Sequence, residues 1–282
     1  VRTFFSYLRR NGQLMAGLII LLLMVVFWLV GYLLVDTANA APLSATPDMA
    51  PSLEFPLGTD SAGRQLLAVI IAGAPTTLRI GLIAGAIGML VGTVLGFTAG
   101  YFGGIVDSII RSAADVALTV PALAVLIVIA SVITKTLSPN TLALIIASLA
   151  WMWPTRTIRS QVLTMRERAY IEVARLSGLN NFEIIFKELM PNLLPYLAAS
   201  FVGAVSSAVL AAIGLEALGL GPQSEPTLGM TIYWARYYAA IARGLWWWWA
   251  PPVVVIILMF ISLFMIAAGL DEVANPRSRR AA

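Results

Sequence analysis

RERAYIEVARLSGLNNFEIIFKELMPN, residues Arg166–Asn192, is a charged island between two charge-free apolar runs, Thr136–Thr155 and Leu189–Leu215. Ala169, Val173 and Leu176 are spaced four and three apart, which places them on one face of a helix. After Gly178 a second series, Phe182, Ile185 and Leu189, repeats the spacing, with Asn180 or Asn181 positioned to cap it. Glycine suits the bend between the two because a left-handed backbone angle costs it little. Pro191 is expected to end the second helix and mark the start of the next apolar run. Arg166, Arg168, Glu172, Arg175, Glu183, Lys187 and Glu188 mix both signs. A helix lying on a membrane surface carries mostly basic residues on its polar face, so this pair suits a protein partner. Packing against the molecule's own underside is the alternative.

Outward from this island the chain is apolar. Charge-free windows run over Leu14–Val35, Ile80–Val106, Val116–Thr134, Thr136–Thr155, Leu189–Leu215 and Gly244–Leu270. Each holds 19 to 27 residues, and a helix crossing a bilayer needs roughly 20. The expected fold is therefore an all-α integral membrane protein with six transmembrane helices. Only 11% of the 282 residues are charged, against roughly 25% in a soluble domain, which excludes a water-exposed surface of ordinary kind. With the N-terminus cytoplasmic, thirteen of the eighteen basic residues fall inside and five outside, as the positive-inside rule requires. Both termini are then cytoplasmic. The basic residues are explained as topology determinants, and no nucleic-acid partner is expected. Cysteine and histidine are absent, which removes thiol and imidazole chemistry and the usual transition-metal sites.

Asp36-Thr-Ala-Asn-Ala-Ala41 reads like a signal-peptidase site, but the preceding 22-residue run exceeds the 7–15 of a normal signal core and is read as a retained first helix. Pro42, Pro47, Pro51 and Pro56 make the following stretch an extended outer loop. Gly81, Gly85, Gly88, Gly92, Gly96 and Gly100 form a side-chain-free strip on the second span, fit for close helix approach. Trp246–Trp249 precede Pro251 and Pro252. They are read as headgroup-level anchors before a helix whose first turn holds the prolines, with carbohydrate stacking as the alternative. Asp115 and Glu216 lie near opposite span ends. Pairing or hydration, gating, and substrate contact are all open for each, Arg111 being a partner one turn from Asp115.

The island resembles the coupling loop of permease subunits of ATP-binding-cassette importers. The family pattern begins Glu-Ala-Ala, has Gly six residues after the Glu, and ends Leu-Pro. Here Glu172 and Ala174 match, Val173 replaces the first Ala, Gly178 has the right spacing, and Met190-Pro191 stands for Leu-Pro. Arg175 and Asn192 resemble the dipeptide, oligopeptide and nickel branch, and Glu188 occupies the place of that branch's His. Pro56-Leu-Gly-Thr-Asp-Ser-Ala-Gly-Arg64, with Gly58, Asp60, Gly63 and Arg64, resembles its outer-loop signature, although Phe55 and Gln65 depart from it. Tyr101–Gly104 with Asp107, Arg111, Asp115 and Pro121 resembles its connection between spans two and three. Leu218–Pro222 with Pro226 and Gly229 resembles the loop after span five, and Asn275-Pro-Arg277 its terminal motif.

The resemblance implies a type I importer permease fold and the second, short-outer-loop permease of such a machine. Residues 1–77 would form a cytoplasmic tail, first helix and outer loop. Residues 78–270 would form a five-helix translocation core with its coupling loop at 156–192, and 271–282 a cytoplasmic tail. The implied partners are a second, non-identical permease chain, two ATP-binding subunits, an extracytoplasmic solute-binding protein and the lipid bilayer of the cell inner membrane. Helices around Glu172–Glu188 would sit in a groove of an ATPase subunit. The implied cargo is peptide, with oligosaccharide as the alternative. No cofactor and no enzymatic activity are expected in this chain, with ATP bound by the partner subunits. A phosphate-binding loop needs Gly-Lys ahead of Ser or Thr, and neither Lys135 nor Lys187 follows a glycine. A gradient-driven secondary transporter is the competing class. It calls for mid-span carboxylates or broken ion-coordinating helices, and the span centres are charge-free.

Overall fold

The structure, a computed structural model, describes residues 11–133 and 137–274. The terminal motif Asn275–Arg277 and most of the two terminal tails lie outside the described residues. Helix α1 (Gly12–Leu34) starts at Asn11, whose side chain accepts from the Leu14 N–H at 3.0 Å. Helix α2 (Leu66–Phe102) follows the outer loop. Helices α3 (Gly104–Thr119) and α4 (Ala122–Val132) flank Val120-Pro121. Helices α5 (Pro139–Ala150) and α6 (Met152–Arg166) lead to α7 (Ala169–Leu176). Helix α8 (Asn181–Ala217), α9 (Leu228–Tyr237) and α10 (Trp246–Ala274) complete the described chain.

Four of these helices, α1, α2, α8 and α10, are long and apolar enough to cross a membrane. Six separate spans are not what the described residues form. The Val116–Thr134 window is divided between α3 and α4, which meet the same criterion only as a pair bent by 81°. The reason is Pro121: its ring excludes the helical region for the preceding residue, and Val120 is extended at φ −87°, ψ 131°. The Thr136–Thr155 window is likewise shared, between the short apolar α5 and the start of the Arg-bearing α6. A window of hydropathy counts apolar residues and is blind to such breaks.

Helix α2 is the hub, in contact with α1, α5, α6, α8 and α9. Its 37 residues make it about 55 Å long, well beyond the ~30 Å hydrocarbon core. It begins fourteen residues before the Ile80–Val106 window, so the expected boundary at 77–78 falls inside it. The glycine strip explains the hub. A methyl group at Gly85 would lie 2.9 Å from the Val205 backbone of α8. At Gly88 it would lie 2.8 Å from the Ala150 carbonyl carbon, at Gly92 2.5 Å from Pro154, and at Gly96 2.9 Å from Ile158. The strip thus seats α8 at one end and the α5–α6 pair along the other. Helix α1 packs on α10 by the same means, Gly17 against Ser262 and Ile266, Gly269 against Leu14.

Two sequence expectations about helix boundaries are corrected. Pro191 does not end a helix: Asn181–Glu183 runs through a wide π-helical turn, Ile184–Leu189, directly into Met190–Ala217. In that turn the Met190 N–H donates to Ile185 O, five residues back. The widened turn supplies the room that a proline ring otherwise lacks against the preceding carbonyls. Likewise Pro251 and Pro252 lie inside α10, whose first turn is the tryptophan run itself.

Candidate functional sites

The island forms two short helical segments that meet at Gly178. The end of α7 is closed by two bonds, Gly178 N–H to Arg175 O at 3.0 Å and Leu179 N–H to Ala174 O at 3.2 Å. This is the paired closure that a left-handed glycine after a helix permits, and Gly178 has φ +83°. Asn180 then caps α8: its side chain accepts from Glu183 N–H at 2.9 Å, while Glu183 accepts from Asn180 N–H at 3.0 Å. Glu183 also pairs with Lys187 at 2.7 Å.

Ile171 and Ala174 face inward with Ile184, Ile185 and Leu189, against Ile158 and Val162 of α6. The face predicted from Ala169, Val173 and Leu176 is the outward one, with Leu176 83% exposed. The second predicted face is split: Phe182 is 69% exposed, whereas Ile185 and Leu189 are buried. Phe186, which the spacing argument passed over, is 58% exposed beside it. The two loop helices thus hold Val173, Leu176, Phe182 and Phe186 exposed, alongside exposed Glu172 and Arg175. Glu188 is half-buried and its carbonyl accepts from Asn192 at 2.6 Å; Pro191 is exposed.

Beneath the loop the end of α2 is tied to its neighbours. The Tyr101 hydroxyl donates to Asn181 Oδ1 at 2.9 Å, and the Arg175 guanidinium lies 5.9 Å from the centre of its ring. Arg166 donates to the carbonyls of Gly100 and Tyr101 at 3.0 and 3.2 Å. Asp107 of α3 receives both forks of Arg159 from α6, Nη2 to Oδ2 at 2.6 Å. Asp115 is partly exposed and lies within 3.7–3.8 Å of Arg111 and Arg156; such a surface cluster contributes about 1 kcal/mol or less.

A cavity of about 520 Å³ lies between the α3–α4 bend, the α5–α6 junction and α8. Its lining includes Pro121, Trp153, Tyr196, Ser200, Ala204 and Ser207, and no charged side chain among the described residues. On the side away from the loop the same helices close in a packed core of Leu126, Ala130, Leu142, Ala143, Ala212 and Leu215. The cavity therefore occupies the loop-side half of the bundle.

The far end is built from the outer loop, α9 and the start of α10. Asp60 is 3% exposed and its Oδ1 accepts from Ala62 and Arg64 N–H at 2.9 and 2.8 Å. Arg64 stacks 6.0 Å from Trp234. A side chain at Gly58 would strike Trp247 at 2.7 Å, and Gly63 packs on the Ala45 carbonyl. All four signature residues are engaged within the fold, Arg64 and Gly58 against the tryptophans of α9 and α10. Burial pushes the Asp60 carboxyl up, against the hydrogen bonds and charge of Arg64. Asp48, Ser61 and Arg243 form the exposed tie, with Arg243 to Asp48 at 2.5 Å. Burial raises Asp48, but the bonds from Ser61 and Arg243 outweigh it and hold it below the ordinary 3.8.

Of the tryptophans, Trp248 is fully buried against Tyr238 and Leu66, and Trp247 donates to Thr59 O at 3.3 Å. Trp246 is the exposed member, so the run is chiefly core. Glu216 is fully buried, out of reach of bulk water. Its Oε2 accepts from Gly229 N–H at 3.1 Å, and Gly221 packs on its stem. The amide before it, Leu228 N–H, donates to Thr77 of α2 at 3.0 Å.

These features define a polytopic membrane protein with an uncharged internal cavity and a loop that holds apolar side chains exposed, the build of a transport-pathway component. The chain belongs to the family of binding-protein-dependent transport system inner membrane components, whose model matches residues 92–280. It is 30% identical over 273 residues to the dipeptide transport system permease protein DppC of Bacillus subtilis (strain 168), covering 97% of this chain and 84% of that protein. It is 29% identical over 224 residues to the DppC of Alkalihalophilus pseudofirmus, covering 79% and 73%. Its fold is similar to a chain of the MetNI methionine ABC transporter in an inward-facing crystal form, with a TM-score of 0.58 at 17% identity, covering 75% of this chain and 97% of that one. The family is one of transport components, not of catalysts.

Proposed function

We propose that this chain is a permease subunit of an ATP-driven peptide importer and forms half of its translocation pathway. The observation that carries the reading is the exposure of Val173, Leu176, Phe182 and Phe186 on a loop whose other face is packed into the bundle. Four large apolar side chains held out on capped, closed helices call for a protein partner. An ATP-binding subunit is the partner that fits the family. The relatives named as dipeptide permeases favour peptide as cargo.

In this reading the six crossings are α1, α2, the α3–α4 pair, the α5–α6 pair, α8 and α10. The loop and both termini are cytoplasmic, supported by the basic-residue asymmetry. A second, non-identical permease would complete the cavity, and a solute-binding protein would deliver cargo to the far end. The uncharged lining suits passage: it offers peptide termini no counter-charge that would hold them.

The test is reconstitution with the cognate partners, comparing wild type with Leu176→Asp and Phe182→Asp. Both side chains are exposed, so the bundle should fold, and the ATP-binding subunits should fail to co-purify. Their full retention on both variants would refute the docking assignment. Substrate-stimulated hydrolysis by oligosaccharides but not peptides would refute the cargo alone.

A further inference from the structure

Helix α2 carries the glycine face that seats α8 and the α5–α6 pair, yet its chain continues past Phe102 through two glycines with positive φ, Gly103 at +67° and Gly104 at +59°. Such a joint is a weak lever, because glycine adopts these angles without cost and has no side chain to resist turning. Force on the loop reaches α8 directly, through one continuous helix from Asn181 to Ala217. It reaches α6 through the short connection Glu167–Arg168. The end of α2 is held by Arg166 at the Gly100 and Tyr101 carbonyls and by the Tyr101 side chain, and only the side chain joins it to α7 and α8 of the loop. Tyr101 is 6% exposed and meets both loop segments at once, the Asn181 carbonyl through its hydroxyl and Arg175 through its ring.

We propose that Tyr101 is a positioning residue that locks the end of α2 to the docking loop, so that loop and glycine face move as one body. The proposal rests on the reading that the loop docks an ATP-binding subunit. The hydroxyl is the specific element: the ring packs among Ile158, Ile171 and Ile184 regardless, whereas the bond to Asn181 fixes the direction in which α2 follows.

The experiment uses the complete importer in proteoliposomes and reads peptide taken up per ATP hydrolysed, with ATP-binding subunit retained per permease as a separate measurement. Variants are Tyr101→Phe, Asn181→Leu, their double, and Asn181→Asp, which keeps an acceptor oxygen. Each single loss should lower uptake per ATP about two- to tenfold, the range one hydrogen bond supplies. The double should fall no further than either single, and Asn181→Asp should stay near wild type, all with unchanged subunit retention. A wild-type ratio in Tyr101→Phe, or losses that multiply in the double, overturns the proposal. Loss of subunit retention in Tyr101→Phe also overturns it, since the residue would then be supporting the docking surface itself. Failure of the docking reading shows elsewhere, as subunits fully retained on both Leu176→Asp and Phe182→Asp.

Discussion

Glu216 shows most clearly what a single residue can hide. In sequence it is a carboxylate near a span end, with hydration a natural reading. In the fold it is enclosed beside Gly221 and Gly229 and pins the first turn of α9. A buried acceptor that satisfies one amide needs its oxygen and its volume, not its charge. Glu216→Gln should therefore leave thermal unfolding in detergent unchanged or slightly raised. Glu216→Ala orphans the Gly229 amide and opens a void, and should cost about 2–4 kcal/mol. Equal melting of the two variants would contradict this account. Gly178 is the opposite case, since its role is legible in the sequence. A side chain there meets open space, so Gly178→Ala should cost only the left-handed backbone, about 1 kcal/mol. Gly178→Pro forbids the +83° angle and removes the amide that closes α7. It should uncouple hydrolysis from uptake, and normal coupling in that variant would refute the rigid-loop account.

At the scale of elements, the glycine strip of α2 was readable as a close-approach face, but not which helices it serves. That depends on where α5, α6 and α8 are brought by their connections. Because the Gly92 position abuts Pro154 and the Trp151 and Thr155 backbone at 2.5–3.0 Å, neither neighbour can yield by a rotamer change. Gly92→Leu should separate α2 from α6 and cost at least 1–3 kcal/mol, seen as reduced yield of monodisperse protein. Gly203 and Gly214, which have open space or ordinary contact, should accept alanine without effect. The loop helices teach a related lesson. An apolar periodicity identifies a face, but burial on the parent fold and burial on a partner give the same pattern. Ile171 and Ala174 belong to the first kind, and Val173 and Leu176 are left exposed by the fold.

At the scale of the whole molecule, the far end is held by one exposed ionic tie between the outer loop and the segment before α10. Asp48 sits below its ordinary value through Ser61 and Arg243, so its contribution is present above about pH 4 and lost as pH falls through the lowered value. Asp60, raised by burial despite Arg64, has the opposite slope and contributes less as pH rises through its own titration. Protection of the Ala45 and Thr59 amides, whose N–H groups are bonded within the loop, should therefore fall below about pH 4, read as exchange relative to the intrinsic rate at each pH. Asp48→Asn should remove that acid dependence. An unchanged profile in Asp48→Asn would show that the tie does not organise the loop.

The sequence by itself determined the membrane class, the apolar runs and the bend at Gly178, because these rest on composition and on short-range periodicity, while the family was legible through its resemblance in motifs such as Glu172, Ala174 and Gly178. Only the tertiary structure decided how many runs are unbroken helices, since a bend at Val120-Pro121 and a π turn before Pro191 are local geometries that hydropathy does not register. It alone also brought Tyr101 to Asn181, Asp107 to Arg159, Asp48 to Arg243 and Glu216 to Gly229. Three of these pairs lie 52 to 195 residues apart in the chain, and Glu216 meets Gly229 only because a loop folds back over its own helix. Such contacts are set by where whole helices pack, and packing is a property of the assembled bundle rather than of any stretch of chain.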